Sequence, residues 1–180
     1  DPHRALHADM RDALSGRRFE LFYQPQLDGN GRIVGAEALL RWRNPEFGVV
    51  PPDQLIPLAE DTGLILEIGE WVLRQACTTL RQWHESGLDD MRLSVNVSAI
   101  QLLRGDLAAT LARILAETGV SPAHVELELT ESAIMDNIAR SASVLEDCRA
   151  LGVGVAVDDF GTGYSSLAYL KRLPLTTLKI

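Results

Sequence analysis

Four apolar, strand-like runs of this chain each carry acidic or amide side chains at the same alternation parity. Glu37 stands in Ile33-Val-Gly-Ala-Glu-Ala-Leu-Leu-Arg41, Asn96 in Leu93-Ser-Val-Asn-Val97 and Glu128 in Val125-Glu-Leu-Glu-Leu129, while Asp158-Asp159 closes Val153-Gly-Val-Ala-Val157. Charged groups are costly to bury unless they are paired or bound to a cation. Such side chains on four separate strands predict one convergent metal site. A lone strand glutamate such as Glu126 is usually solvated or paired, and it receives no role here.

The elements that must position these groups alternate along the chain. Residues 1–18 read as an N-terminal linker or helix, with an amphipathic stretch from Arg4 stopped by Gly16. Residues 19–180 read as one domain. Phe19-Glu-Leu-Phe-Tyr23 is a strand, and the turn Asp28-Gly-Asn-Gly31 joins it to the Glu37 strand as a hairpin, so the first strand runs antiparallel. A helix opened by Pro51-Pro-Asp53 runs through Glu60, and a longer amphipathic one spans Leu64 to Trp83. Strand Arg92–Val97, helix Asp106–Thr118, strand Val125–Leu129, helix Ile138–Leu151 and strand Val153–Val157 follow. A glycine-rich loop, a short helix near Leu167–Leu170 and a strand from Thr177 complete the pattern.

Alternating strands and helices predict an α/β fold with a mainly parallel sheet. An open doubly wound sheet is covered by helices on both faces, so both faces are apolar. Here Leu93, Val95 and Val97 share one face, while Ser94, Asn96 and Ser98 share the other. Val153, Val155 and Val157 likewise oppose Gly154, Ala156 and Asp158. One apolar face, with the other turning acidic toward the strand C-termini, favours a barrel with helices outside and a site at its mouth.

With 180 residues, 46% of them hydrophobic, the chain can bury a sizeable core. No apolar run approaches the ~18–20 residues that span a bilayer. A net charge of −8 argues against long nucleic acid, yet admits a small anionic ligand, because bound divalent cations reverse the local field. Cys77 and Cys148 read as reduced core thiols of a cytoplasmic protein. His3, His7, His84 and His124 lack metal-ligand spacing, and Trp42, Trp71 and Trp83 read as packing residues.

In their order, Glu37-Ala-Leu-Leu-Arg-Trp42, Asn96-Val-Ser98, Glu128-Leu-Thr-Glu131, Asp158-Asp-Phe-Gly-Thr-Gly-Tyr-Ser-Ser166 and Leu178-Lys-Ile180 resemble EAL domains, the cyclic di-GMP phosphodiesterases of bacterial signalling. Phe22-Tyr-Gln-Pro-Gln26 and Ile56-Pro-Leu-Ala-Glu-Asp-Thr-Gly-Leu64 extend the likeness from about Phe19 to the last residue. Leu55 and Ile100 depart from the family's usual Phe and Arg or Lys.

The resemblance implies a modified TIM (β/α)8 barrel with an antiparallel first strand, and two Mg2+ or Mn2+ ions per site. Hard oxygen donors suit those ions over zinc. Carried over by motif, Glu37, Asn96, Glu128 and Asp158 would bind the first metal, and Asp158 with Asp159 the second. Two such ions roughly 3.5–4 Å apart can activate a water and brace the leaving oxygen, opening cyclic di-GMP to linear pGpG. Lys179 would orient or activate the water, Arg41 would grip a phosphate through its bidentate fork, and Gln24 with the Leu39 backbone would line the ligand cleft. Glu131 would anchor the loop around Gly161-Thr-Gly163, which would couple the second metal to homodimerisation.

The same resemblance implies an upstream sensory or GGDEF domain in a parent that could be membrane-anchored, though this portion holds no membrane segment. The chain stops within a strand, so a further metal-site glutamate and the last two strands are expected after Ile180, and the 180 residues by themselves are expected to be inactive or swapped. The competing expectation is a non-catalytic cyclic di-GMP receptor. Such modules typically lose the EAL glutamate or the Asp-Asp pair, and both are present here.

Overall fold

The computed structural model describes residues 2–158, 171 and 173–179. Asp159, the Gly161-Thr-Gly163 loop and the short helix expected near Leu167–Leu170 lie outside the described residues.

β1 (Phe19–Leu27) and β2 (Ile33–Asn44) form the expected antiparallel hairpin. Asp28 makes its turn: Oδ1 accepts from the backbone N–H of Asn30 at 2.8 Å and of Arg32 at 3.0 Å, an arrangement that favours Asp at such positions. Gly31, at φ 76°, takes the left-handed residue of that turn. A short β3 (Gly48–Val50) folds back on the far end of β2. From β2 the sheet continues in parallel through β4 (Arg92–Asn96), β5 (Val125–Thr130), β6 (Gly154–Asp158) and β7 (Thr177–Leu178). The order is β1-β2-β4-β5-β6-β7, with β3 beside β2. Among the described residues β1 and β7 are the two ends of the sheet, so the fold is the wall of a modified β/α barrel that does not close.

Register explains the two faces. Ala38, Val95, Leu127 and Val155 stand in one row, and each is at most 4% exposed. Against this apolar face pack α3 (Ile65–Glu85) on β4 and α7 (Ile138–Ala150) on β6, with α5 (Leu107–Thr118) between the two helices. The opposite face carries Glu37, Ser94, Glu126 and Gly154 in one row and Asn96, Glu128, Ala156 and Thr177 in the next. Polar and small residues gather there, as the alternation predicts.

Three elements escape the sequence pattern: β3, α4 (Ala99–Arg104) and α6 (Glu131–Met135). Each is too short to show a period, and caps define both helices. Ser98 Oγ accepts from Gln101 N at 3.3 Å while Gln101 Oε1 accepts from Ser98 N at 3.0 Å, a complete capping box. Thr130 Oγ1 accepts from Ala133 N at 3.2 Å. α2 (Pro52–Thr62) begins with proline and ends at Gly63 in a left-handed conformation. α1 (Pro2–Ser15) places Met10 and Ala13, both fully buried, in the same core as the sheet. Phe19 lies 5.9 Å from the ring of Trp42 and 6.1 Å from that of Trp71, and Tyr23 5.0 Å from Trp83, so all three tryptophans pack as expected.

Candidate functional site at the C-terminal edge of the parallel strands

Four of the predicted residues meet across the polar face. Asn96 Nδ2 donates to Glu37 Oε1 at 3.2 Å, joining β4 to β2. On the far side, the Lys179 ammonium, just past β7, donates to Glu128 Oε1 on β5. Asp158 ends β6 beside Thr130, the residue that follows β5 Leu129. Strand pairing therefore does the positioning: Asn96, Glu128 and Asp158 sit at or near the C-terminal ends of β4, β5 and β6, Lys179 lies just past β7, and Glu37 lies in the part of β2 that pairs in parallel with β4.

Glu128 is the electrostatic centre. It is 1% exposed, and its Oε2 is buried with no hydrogen-bond partner. Burial raises its pKa above the ordinary carboxylate value; the charges of Glu37 and Asp158 push the same way, while the Lys179 hydrogen bond and charge oppose them. For Lys179, burial works against the ammonium, but the hydrogen bond with Glu128 and the charges of Glu128, Glu126 and Glu37 outweigh it, so its pKa lies above the ordinary value. A buried carboxylate with one orphan oxygen, two like charges nearby and a single cationic partner is short of positive charge. Three carboxylates and an amide therefore fit a hard divalent cation. Among the described residues, no three His, Cys, Asp or Glu side chains already stand together as a ligand shell.

A cavity of about 510 Å³ opens beside this cluster. Its lining includes Leu39, Arg41, Asn96, Glu128 and Asp158, with Ile56, Ile68 and Val72 forming an apolar wall. That mixture, mostly apolar with a few convergent polar groups, is typical of small-molecule sites. Arg41 donates to Leu40 O at 3.0 Å, and its guanidinium lies 5.6 Å from the centroid of the Phe22 ring. Gln24 is exposed and stands opposite Glu37 in the hairpin register, outside this lining. Glu131 opens α6 and is 4% exposed.

Sequence reasoning missed several members of the site. Glu60 lines the cavity, and burial, then the charges of Asp61 and Asp136, raise its pKa. Glu126, Ser94, Thr177 and Gln26 form a second polar chain below the first: Gln26 Nε2 donates to Ser94 Oγ at 3.5 Å, Ser94 Oγ to Glu126 Oε1 at 3.3 Å, and Thr177 Oγ1 to Glu126 Oε2 at 3.3 Å. The parity of Glu126 with Glu128 is the one signal that could have found it.

Fold and site together define a β/α-barrel protein with a carboxylate-rich cluster at the C-terminal edge of its parallel strands. Residues 7–180 match the EAL domain family, and the chain belongs to it. It is 49% identical over 176 residues to the bifunctional diguanylate cyclase/cyclic di-GMP phosphodiesterase MucR of Pseudomonas aeruginosa, covering 97% of this chain and 26% of that protein. It is 45% identical to the cyclic di-GMP phosphodiesterase NbdA of the same organism, covering 97% of this chain and 22% of that one. The chain thus spans about a quarter of the length of these curated relatives. Among solved structures, the MucR phosphodiesterase in complex with c-di-GMP superposes with a TM-score of 0.92 at 48% identity, over 98% of this chain and 72% of that one. The EAL enzyme Bd1971, in its cAMP- and cyclic-di-GMP-bound form, gives 0.89 at 34% identity over 99% and 50%.

Proposed function

We propose that this chain is the catalytic portion of a metal-dependent phosphodiesterase that opens cyclic di-GMP to linear pGpG. The observation that carries the reading is Glu128: buried, short of positive charge, bonded to Lys179 and itself lining, with Asn96 and Asp158, a cavity wide enough for a small ligand. Family membership and relatives named as cyclic di-GMP phosphodiesterases support the substrate class.

In this reading Glu37, Asn96, Glu128 and Asp158 would hold a Mg2+ or Mn2+ ion, and Asp158 with Asp159, which lies outside the described residues, would hold another. Bound divalent cations supply Lewis-acid polarisation of a phosphoryl oxygen and lower the pKa of water from 15.7 toward ~7. The chain's own residues do the rest. Asn96 fixes the Glu37 carboxylate by its hydrogen bond. The Lys179 ammonium, kept charged by Glu128, Glu126 and Glu37, orients the attacking water. Arg41 would place a phosphate, Gln24 and the Leu39 backbone would border the ligand, and Glu131 would anchor the loop after Asp159, a role that falls outside the described residues. The active unit is a homodimer within a larger cytoplasmic signalling protein.

The test is incubation of the full-length protein carrying this chain with cyclic di-GMP and Mg2+ or Mn2+, with chromatography of the products. Metal-dependent appearance of pGpG is expected. Tight binding without product would replace the enzyme with a receptor, and no binding would remove both.

A further inference from the structure

The second polar chain below the cluster supplies no ligand to the proposed cations, yet it ends on the same lysine. Glu126 and Glu128 are two residues apart on β5 and project onto the same face. Lys179 Nζ contacts Glu128 and stands 3.9 Å from Glu126 Oε1. The Glu126 carboxylate is fixed by neutral donors, Ser94 Oγ on Oε1 and Thr177 Oγ1 on Oε2, each at 3.3 Å. Gln26 in turn donates to Ser94, so β1, β4 and β7 all contribute to holding one β5 side chain. Lys179 is the sole cation that pairs with Glu126 among the described residues.

A cation arriving at the orphan Oε2 of Glu128 meets an ammonium already on Oε1. Two positive charges on one carboxylate repel strongly in a partly buried site, so the ammonium must give way. Glu126 offers a fixed, hydroxyl-braced carboxylate already at 3.9 Å. We propose that Glu126 is a positioning residue that takes over the Lys179 ammonium when a divalent cation binds Glu128, holding the lysine beside the site. The proposal rests on the reading of Glu128 as a cation ligand.

Mn2+ binding to the full-length protein, read from the electron paramagnetic resonance of free Mn2+ without substrate, tests it. The sites to follow are those lost in a Glu37→Ala control. Glu126→Gln keeps shape and most hydrogen bonds but leaves Lys179 with Glu128 alone. It is expected to weaken Mn2+ binding about fivefold, whereas in a Lys179→Met background the same change costs less than about twofold. A general loss of negative charge or a merely structural role would give equal effects in the two backgrounds, and that equality overturns the proposal. Should Glu126→Gln fold poorly, Thr177→Val, which strips one hydroxyl from Glu126, must show the same dependence on Lys179 in weaker form; equal effects overturn the proposal there too. If Glu37→Ala removes no Mn2+ site, the reading of the cluster itself fails and this assignment goes with it.

Discussion

Asn96 on β4 reaches diagonally across the sheet to Glu37 on β2, bonding Oε1 at 3.2 Å although the strand register sets Glu37 opposite Ser94. The bond ties an amide to a carboxylate one row away, so each side chain restrains the orientation of the other. Glu37→Ala removes a proposed ligand and frees Asn96. Metal-dependent hydrolysis of cyclic di-GMP is expected to fall by more than the ~10–100-fold that loss of an outer-shell partner typically costs. Unchanged turnover would show that the convergence of these strands has no catalytic meaning.

Cys77 and Cys148 are fully buried, and burial pushes each thiol up to about 11, with the Asp147 charge adding to the effect at Cys148. At pH 8 only about one part in a thousand of either is thiolate, the reactive form. Maleimide or a disulfide reagent is expected to leave both unlabelled in the native protein and to modify both after denaturation. Prompt native labelling would contradict their place in the core.

Glu70 on α3 accepts from Arg113 of α5 and from Arg74 Nη2 at 3.4 Å. The Arg113 hydrogen bond is the main cause that holds its pKa below the ordinary 4.5; burial opposes it, and the Arg113 charge and then Arg74 add to it. A lowered folded-state pKa means the stabilisation is present above 4.5 and fades as pH falls through the folded value. The pair is solvent-exposed, so Glu70→Gln is expected to cost only about 0.5 kcal/mol at pH 7. Denaturant unfolding of the two proteins should converge below pH 4.5, and a gap that widens toward low pH would refute the assignment.

Gly69 on α3 lies against Gln101, where an added Cβ would overlap Nε2 and Cδ of that side chain. Alanine favours a helix over glycine by about 1 kcal/mol, but here it would push Gln101 out of its capping box with Ser98, at about 1 kcal/mol for the cap and ~1–3 kcal/mol for overpacking. Gly69→Ala is expected to destabilise by ~1–3 kcal/mol net, and Gln101→Ala to relieve most of it in the double variant. A stabilised single variant would show that Gln101 moves aside freely.

The strands and long helices were legible because their periods are: Leu93, Val95 and Val97 declare a strand face, and Ile68, Val72, Leu73 and Ala76 a helix stripe. α4 and α6 were not, since five or six residues carry no period and their caps at Ser98 and Thr130 resemble any polar turn. At the site, the parity of Glu37, Asn96, Glu128 and Asp158 pointed to one face. What parity could not supply was the diagonal. Ser94 and Thr177 find Glu126 only once β4 is laid beside β5 and β7 is brought across β6, which is why that glutamate looked like a solvated strand residue.

The sequence distances across the cluster have a kinetic consequence. Glu37 and Asn96 are 59 residues apart, and Glu128 and Lys179 are 51. Each contact waits on closure of a long chain segment and on a parallel pairing that no local turn can make, the kind of topology that slows folding. On a ribosome the acidic rim would emerge strand by strand, each carboxylate in water and free of its neighbours. Lys179 emerges after Glu37, Asn96, Glu128 and Asp158, so its ammonium can reach Glu128 only after those four have been made.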